Sequence, residues 1–139
     1  MSGVIEMTFH HIGYAVCNIE SSRLAFENLG FEFFHQSSDC ARNLDFAFGK
    51  KGDIVIELIT PHDFDIPCAV TNLIKKQPCS PYHICYEIND WDETLKSLKA
   101  SGYKQMGKEI ISDIYGYSAK GVFMFSKGTG LIEIIERCH

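Results

Sequence analysis

The sequence predicts an α+β fold made of two tandem βαβββ modules. Three observations predict it. The chain repeats itself at a constant offset, each copy opens on an alternating strand followed by a capped helix, and each copy closes on a hairpin. Setting "HIGYAVCNIESSRLAFENLGF" (residues 11–31) above "HICYEINDWDETLKSLKASGY" (residues 83–103) aligns them without gaps at an offset of 72 residues (83 − 11). His11 falls on His83, Ile12 on Ile84, Tyr14 on Tyr86, Val16 on Ile88, Asn18 on Asp90, Phe26 on Leu98 and Gly30 on Gly102. The closing strands "IVIELIT" and "GLIEIIE" each hold one glutamate, Glu57 and Glu133.

"FHHIGYAV" alternates and is rich in β-formers, which reads as a strand. "IESSRLAFENLG" is helical, with Asn18 placed to cap it and Gly30 to end it. In the second copy Trp91, Thr94, Leu95 and Leu98 make an i, i+3, i+4, i+7 stripe, with Asp90 as cap and Gly102 as stop. "LDFAFGKKGDIVIELIT" predicts a hairpin turning near "GKKGD", and "GVFMFSKGTGLIEIIE" one turning at "SKGTG". "DIPCAVTNLIKKQPCSP" holds a short helix between prolines. The expected organisation is a single domain over residues 1–139, with module one at 7–78, module two at 81–137, and the boundary near Cys79 to Pro81.

Hydrophobic residues make up 45% of the 139, enough for a core. A net charge of −5 without a basic run argues against a nucleic-acid surface. "MSGVIEMTFHHIGYAV" lacks a basic lead and a long apolar core, and no apolar run approaches ~18 residues. The expectation is a cytoplasmic protein without membrane contact, its six cysteines reduced.

Strand parity then picks out a site. Residues alternate faces along a strand. His10, Ile12, Tyr14 and Val16 share one face of the first strand; His11, Gly13 and Ala15 share the other. In the matching strand His83, Cys85 and Glu87 oppose Ile84, Tyr86 and Ile88. Each copy thus puts large apolar residues on one side, and on the other a histidine beside a small residue. Glu57 and Glu133 each sit between apolar neighbours, where a carboxylate is costly unless paired or bound to a cation. A lone strand histidine is most often a satisfied structural residue, and a lone strand glutamate usually faces solvent; here the repeat asks coincidence to act twice. Two imidazoles and two carboxylates, His11, Glu57, His83 and Glu133, suit a divalent transition metal, with Co, Ni, Mn, Fe and Zn all open. His10 pairs by position with Tyr82 and reads as a packing or interface residue.

These features resemble the vicinal-oxygen-chelate (glyoxalase and bleomycin-resistance) superfamily over about residues 7–136. The resemblance implies a curved, incomplete eight-stranded barrel around one metal, with His11, Glu57, His83 and Glu133 as ligands, and makes a homodimer an expectation. Within the superfamily, "IELITPHDFDIPCAVTNLIKKQPCSPYHICYEIND" has the layout of methylmalonyl-CoA epimerases: a ligand strand ending in proline, a short helix, then a polar linker to the second histidine strand. Epimerases often carry Gln at the position of Glu57, whereas a His/Glu/His/Glu set also looks like glyoxalase I. The epimerase family has a catalytic glutamate just before the third strand, and Ala41 falls there.

The implied chemistry is proton transfer at carbon next to a carbonyl, on a small-molecule substrate such as an acyl-CoA thioester. Glu133 is one candidate base, and Asp39, Asp45 or Glu57 its partner. Asp39 and Asp45 share parity with position 41; Glu87 is a weaker candidate. Tyr115, Tyr117, Phe123 and Phe125 would shape the acyl pocket, though such aromatics are more often core. Two alternatives stand beside this: a glyoxalase I-like lactoylglutathione lyase, and a non-enzymatic small-molecule binding or resistance protein. Scattered basic residues, Arg23, Arg42, Lys50 and Lys51, count against a glutathione site, and retention of all four metal-type residues counts against the binding protein.

Overall fold

The computed structural model describes residues 3–139. Eight strands and three helices are present among them, in the order expected of two βαβββ modules with a short helix between. The residues group into two compact units, one spanning His11–Tyr82 and the other spanning His83–His139 with the segment that ends at His10.

The His11–Tyr82 unit holds most of β1 (Thr8–Val16), then α1 (Ile19–Asn28), β2 (Glu32–Asp39), β3 (Leu44–Lys51), β4 (Ile54–Pro61) and α2 (Thr71–Lys76). Its strands lie in the order β2-β3-β4-β1, with β1 parallel to β4 and the other neighbours antiparallel. α1 begins where the Asn18 side chain accepts the Ser21 N–H at 2.9 Å. It ends on Gly30 at φ +99°, where the Gly30 N–H reaches the Glu27 carbonyl and the Phe31 N–H reaches that of Phe26, the paired closure that satisfies a helix end. The expected hairpin turns on Gly52 and Asp53, between β3 and β4.

One face of this sheet packs on α1, through Val16, Ile19, Ala47, Ile56 and Leu58 with Tyr14, Phe26, Phe31 and Phe33. The other face carries Ala15, Leu44, Phe46 and Ile59 under Val70 and, from α2, Leu73 and Ile74. Gly49 lies opposite Ile56 on the α1 face, where the Phe33 ring covers it and leaves no room for a side chain: an added Cβ would meet that ring at 2.9 Å.

The second unit repeats the plan with most of β5 (Cys79–Glu87), then α3 (Trp91–Ala100), β6 (Lys104–Asp113), β7 (Ser118–Ser126) and β8 (Gly130–Arg137). The order is β5-β8-β7-β6, with β5 parallel to β8. Asp90 accepts the Glu93 N–H at 3.2 Å, and Gly102, at φ +96°, ends α3 through the same pair of bonds. The expected stripe is buried: Trp91, Leu95 and Leu98 pack on Val122, Met124, Ile132 and Ile134. Burying such side chains contributes roughly 1.5–3 kcal/mol each. No disulfide joins any of the six cysteines, and no helix among the described residues is long and apolar enough to cross a membrane.

Candidate metal centre

Each unit presents a buried His–Glu pair, and the two pairs are built alike. In the His11–Tyr82 unit, Gly13 of β1 lies opposite Glu57 of β4, which in turn lies opposite Phe48 of β3. Residues directly opposite across a ladder point to the same side. His11 Nε2 lies 3.2 Å from Glu57 Oε1, and the imidazole stands edge-on to the Phe48 ring at 5.3 Å and 90°. In the other unit Cys85 lies opposite Glu133, and Glu133 opposite Phe123. His83 Nε2 lies 3.2 Å from Glu133 Oε1, and its imidazole meets Phe123 edge-on at 5.2 Å and 86°. All four side chains are buried: His11 is 1% exposed, Glu57 7%, His83 4% and Glu133 6%. A carboxylate this far from water needs a cationic or hydrogen-bonding partner. In both units the pair lies on the sheet face away from the long helix, the face parity predicts. Gly121, also on that face, leaves space: a Cβ there would stand 3.5 Å from Glu133 Oε2.

Asp39 and Asp45 fall on opposite faces. Residues 40–43 form a turn, so strand parity does not carry across them from Asp39 to Asp45. Asp39 ends β2 opposite Leu44, on the Glu57 face. Its carboxylate accepts the Arg42 Nε–H at 2.7 Å and the Arg42 backbone N–H at 3.2 Å. Burial pushes this carboxyl up, but Arg42, through those bonds and its charge, outweighs the burial and holds it below the ordinary value. Asp45 lies opposite Thr60 and Ser38, on the α1 face. It accepts from Ser38 Oγ at 2.6 Å and pairs with His62 Nδ1 at 2.8 Å. The expectation of equal standing for the two aspartates is therefore corrected: Asp45 points away from the Glu57 face. Ala41 sits exposed in the turn.

His10 is more than a packing residue. It is 8% exposed, and its Nε2 meets the hydroxyls of Tyr117 at 2.5 Å and Tyr115 at 3.3 Å, with the Tyr115 ring stacked on it at 5.4 Å. Burial, first, pushes both phenols up, so they stay as hydroxyls. The Arg137 guanidinium lies 3.9 Å over the Tyr117 ring while its Nε–H donates to Glu87 at 2.8 Å. Glu87 is thereby engaged in an ion pair, and Tyr115 and Tyr117 serve His10. Phe125 is 39% exposed on the face of Phe123.

Sequence reasoning missed Phe48, the ring beneath His11, and His35. β2 and β3 shift register between Phe33 and His35. Phe33 lies opposite Gly49 on the α1 face, and the extra residue there brings His35 opposite Phe48, on the Glu57 face. No feature of the one-dimensional pattern marks that bulge.

With this geometry in hand, comparison with known proteins identifies the class. Residues 10–119 match the family described as the glyoxalase/bleomycin resistance protein/dioxygenase superfamily, and the chain belongs to it. Among curated proteins it is 35% identical over 89 residues to the uncharacterized protein YqjC of Bacillus subtilis (strain 168). That match spans 63% of this chain and 62% of that protein. Among solved structures it is similar to methylmalonyl-CoA epimerase from Mycobacterium tuberculosis, with a TM-score of 0.79 and 17% identity over 100% of this chain and 94% of that one. It is also similar to a variant of the Streptomyces coelicolor methylmalonyl-CoA epimerase in complex with 2-nitronate-propionyl-CoA, with a TM-score of 0.77 and 20% identity over 96% of this chain and 100% of that one. Likeness at such identity shows a shared fold, and it extends over the whole chain.

Proposed function

We propose that this chain is a metal-dependent isomerase or epimerase that moves a proton at carbon next to a carbonyl, acting like methylmalonyl-CoA epimerase on an acyl-CoA thioester. The observation that carries this reading is the duplicated His–Glu pair, each buried, each 3.2 Å apart and each on the face away from its helix. The donor set fits one divalent ion: His11, Glu57, His83 and Glu133 supply two imidazole nitrogens and two carboxylates as a candidate ligand group. Such an ion, when bound, would polarise the carbonyl oxygen next to the reacting carbon. The protein's own part is to hold that carbonyl, exclude water and move the proton.

Glu133 is the first candidate base. Its partner on the other side of the carbon would be Glu57 or Asp39; Asp45 drops behind them because it lies on the α1 face. Exposed Phe125 supplies apolar surface for an acyl chain on the Glu133 face. A cytoplasmic homodimer is part of the same reading, and sedimentation tests the dimer.

Protein loaded with a divalent metal is expected to exchange the C2 proton of methylmalonyl-CoA with deuterium from solvent. Exchange no faster than in an enzyme-free control removes the reading. One feature favours a second reading. Both pairs carry a carboxylate, where epimerases often have Gln in place of the first, and this points to glyoxalase I-like chemistry on a glutathione–methylglyoxal hemithioacetal. Turnover of that adduct without thioester exchange would select it. Metal-free protein that binds ligand without turnover, unaffected by Glu57→Gln with Glu133→Gln, would select a binding protein.

A further inference from the structure

We propose that His35 is a catalytic residue of this site, a proton-transferring group on the side of the substrate away from His11. This inference rests on the proton-transfer reading and deepens it. The structural basis lies in one row across the sheet of the His11–Tyr82 unit: Gly13, Glu57, Phe48 and His35 stand directly opposite one another on successive strands. Phe48 is fully buried and floors the row, with the His11 ring at 5.3 Å on one side and the His35 ring at 6.2 Å on the other. Adjacent strands lie about 4.8 Å apart, so Glu57 and His35 are rooted roughly 10 Å apart on the same face, with the Phe48 position between them. A small acyl group lying over that ring would have Glu57 at one edge and an imidazole at the other.

The register shift is what makes this so. Were β2 regular beyond Phe33, His35 would fall on the α1 face; the one extra residue turns His35, Ser37 and Asp39 to the Glu57 face. Bulges of this kind commonly re-aim a side chain beside an active site. The repeat is also broken at this point. The matching row in the other unit runs Cys85, Glu133, Phe123 and then Met106, so the position that holds an imidazole in one unit holds a thioether in the other. The His–Glu–Phe part of the row is duplicated, and its outer end is specialised.

Imidazole is the side chain most used for general acid–base catalysis. In the proposed step a glutamate carboxylate takes the proton from the carbon next to the carbonyl, and the C–H electron pair becomes the enolate. Imidazolium His35 on the opposite face then returns a proton to that carbon, leaving the glutamate protonated and His35 neutral. The reverse direction resets both groups. This supplies the second acid–base group that Ala41 lacks.

The test compares wild type, His35→Gln and His35→Ala. Loss of a general acid–base group typically costs 10²–10⁴-fold in rate. Both variants are expected to exchange the C2 proton of methylmalonyl-CoA at least about 100-fold more slowly at saturation, with KM and bound metal essentially unchanged. The limb of the wild-type pH profile that His35 supplies should be missing in both. Exchange by His35→Gln at close to the wild-type rate overturns the inference while leaving the proposed function standing. Absence of exchange in wild type overturns the proposed function, and a second measurement then decides His35 by itself. Zinc-loaded protein is titrated with 2-nitronate-propionyl-CoA while the histidine Cε1–H resonances are followed by NMR, with His35 assigned by its loss in His35→Gln. A stoichiometric shift of the His35 signal supports its contact with the ligand; an unmoved His35 signal overturns it. The His11 and His83 signals report ligand binding at the metal-type residues separately.

Discussion

Replacing Phe48 by alanine tests whether the floor of the site is also a keystone of the core. Phe48 is 0% exposed, and it supports both the His11 and His35 rings. An aromatic side chain buries roughly 150–250 Å². At about 25 cal/mol per Å² that is an upper bound of about 4–6 kcal/mol, since the unfolded chain already buries part of it. Measured Phe→Ala costs in cores run about 3–5 kcal/mol once the cavity is included. Phe48→Ala should therefore destabilise the chain by about 4 kcal/mol, a large share of the roughly 5–15 kcal/mol a domain has. Its counterpart Phe123 is only partly buried, so Phe123→Ala should cost about half as much. The assay is urea unfolding with a chelator present, so that metal binding does not contribute, reading the midpoint at constant slope. A cost below about 1 kcal/mol for Phe48→Ala, or an equal cost for the two variants, would refute the packing argument. Metal affinity of Phe48→Ala should fall about 10–100-fold, as when a group orienting a ligand is lost.

Metal at about 100 times its Kd should stabilise wild type by about 2.7 kcal/mol. For a chain of this size that raises Tm by about 10 °C over chelated protein; Glu133→Gln should lose most of the rise, and an undiminished rise would remove Glu133 from the ligand set. Because Asp39 titrates below its unfolded value, its contribution is present above about pH 4 and is lost as pH falls through the folded value. Arg42→Ala should therefore unfold at a higher pH on acid titration, while an unmoved acid midpoint would contradict the pairing. Asn43, at φ +58°, donates from Nδ2 to the Asp63 and Ile66 carbonyls and accepts the Asp63 N–H. Losing those bonds costs about 2–3 kcal/mol, and alanine adds about 1 kcal/mol of left-handed strain. Asn43→Gly should thus melt above Asn43→Ala, and the reverse order would mean the strain argument fails.

What the sequence made legible was whatever depends on local pattern. The helix caps at Asn18 and Asp90 and the stops at Gly30 and Gly102 are short-range chemistry, and they stand where expected. Strand parity also holds within single strands: it puts His11 and His10 on opposite faces, whereas the 3.2 Å pairing of each histidine with a glutamate of its own unit came only with the fold. It failed where the strand was not continuous. The turn at residues 40–43 broke the parity linking Asp39 to Asp45, and the bulge at Phe33 and His35 reversed it for His35. A single inserted residue exchanges the faces of everything beyond it, and whether it bulges depends on how the neighbouring strand pairs, not on local composition. The partners of His10 were equally hidden, since Tyr115 and Tyr117 lie more than a hundred residues away. Their meeting is a product of the fold alone.

The central claim is that His11, with Glu57, His83 and Glu133, holds one divalent metal, while the adjacent His10 does not. The most direct measurement is metal content per chain after loading and exhaustive dialysis, for wild type, His10→Ala and His11→Ala. The account predicts one ion per chain in wild type and in His10→Ala, and close to none in His11→Ala. Equal loss in both variants, or a full complement in His11→Ala, would contradict it.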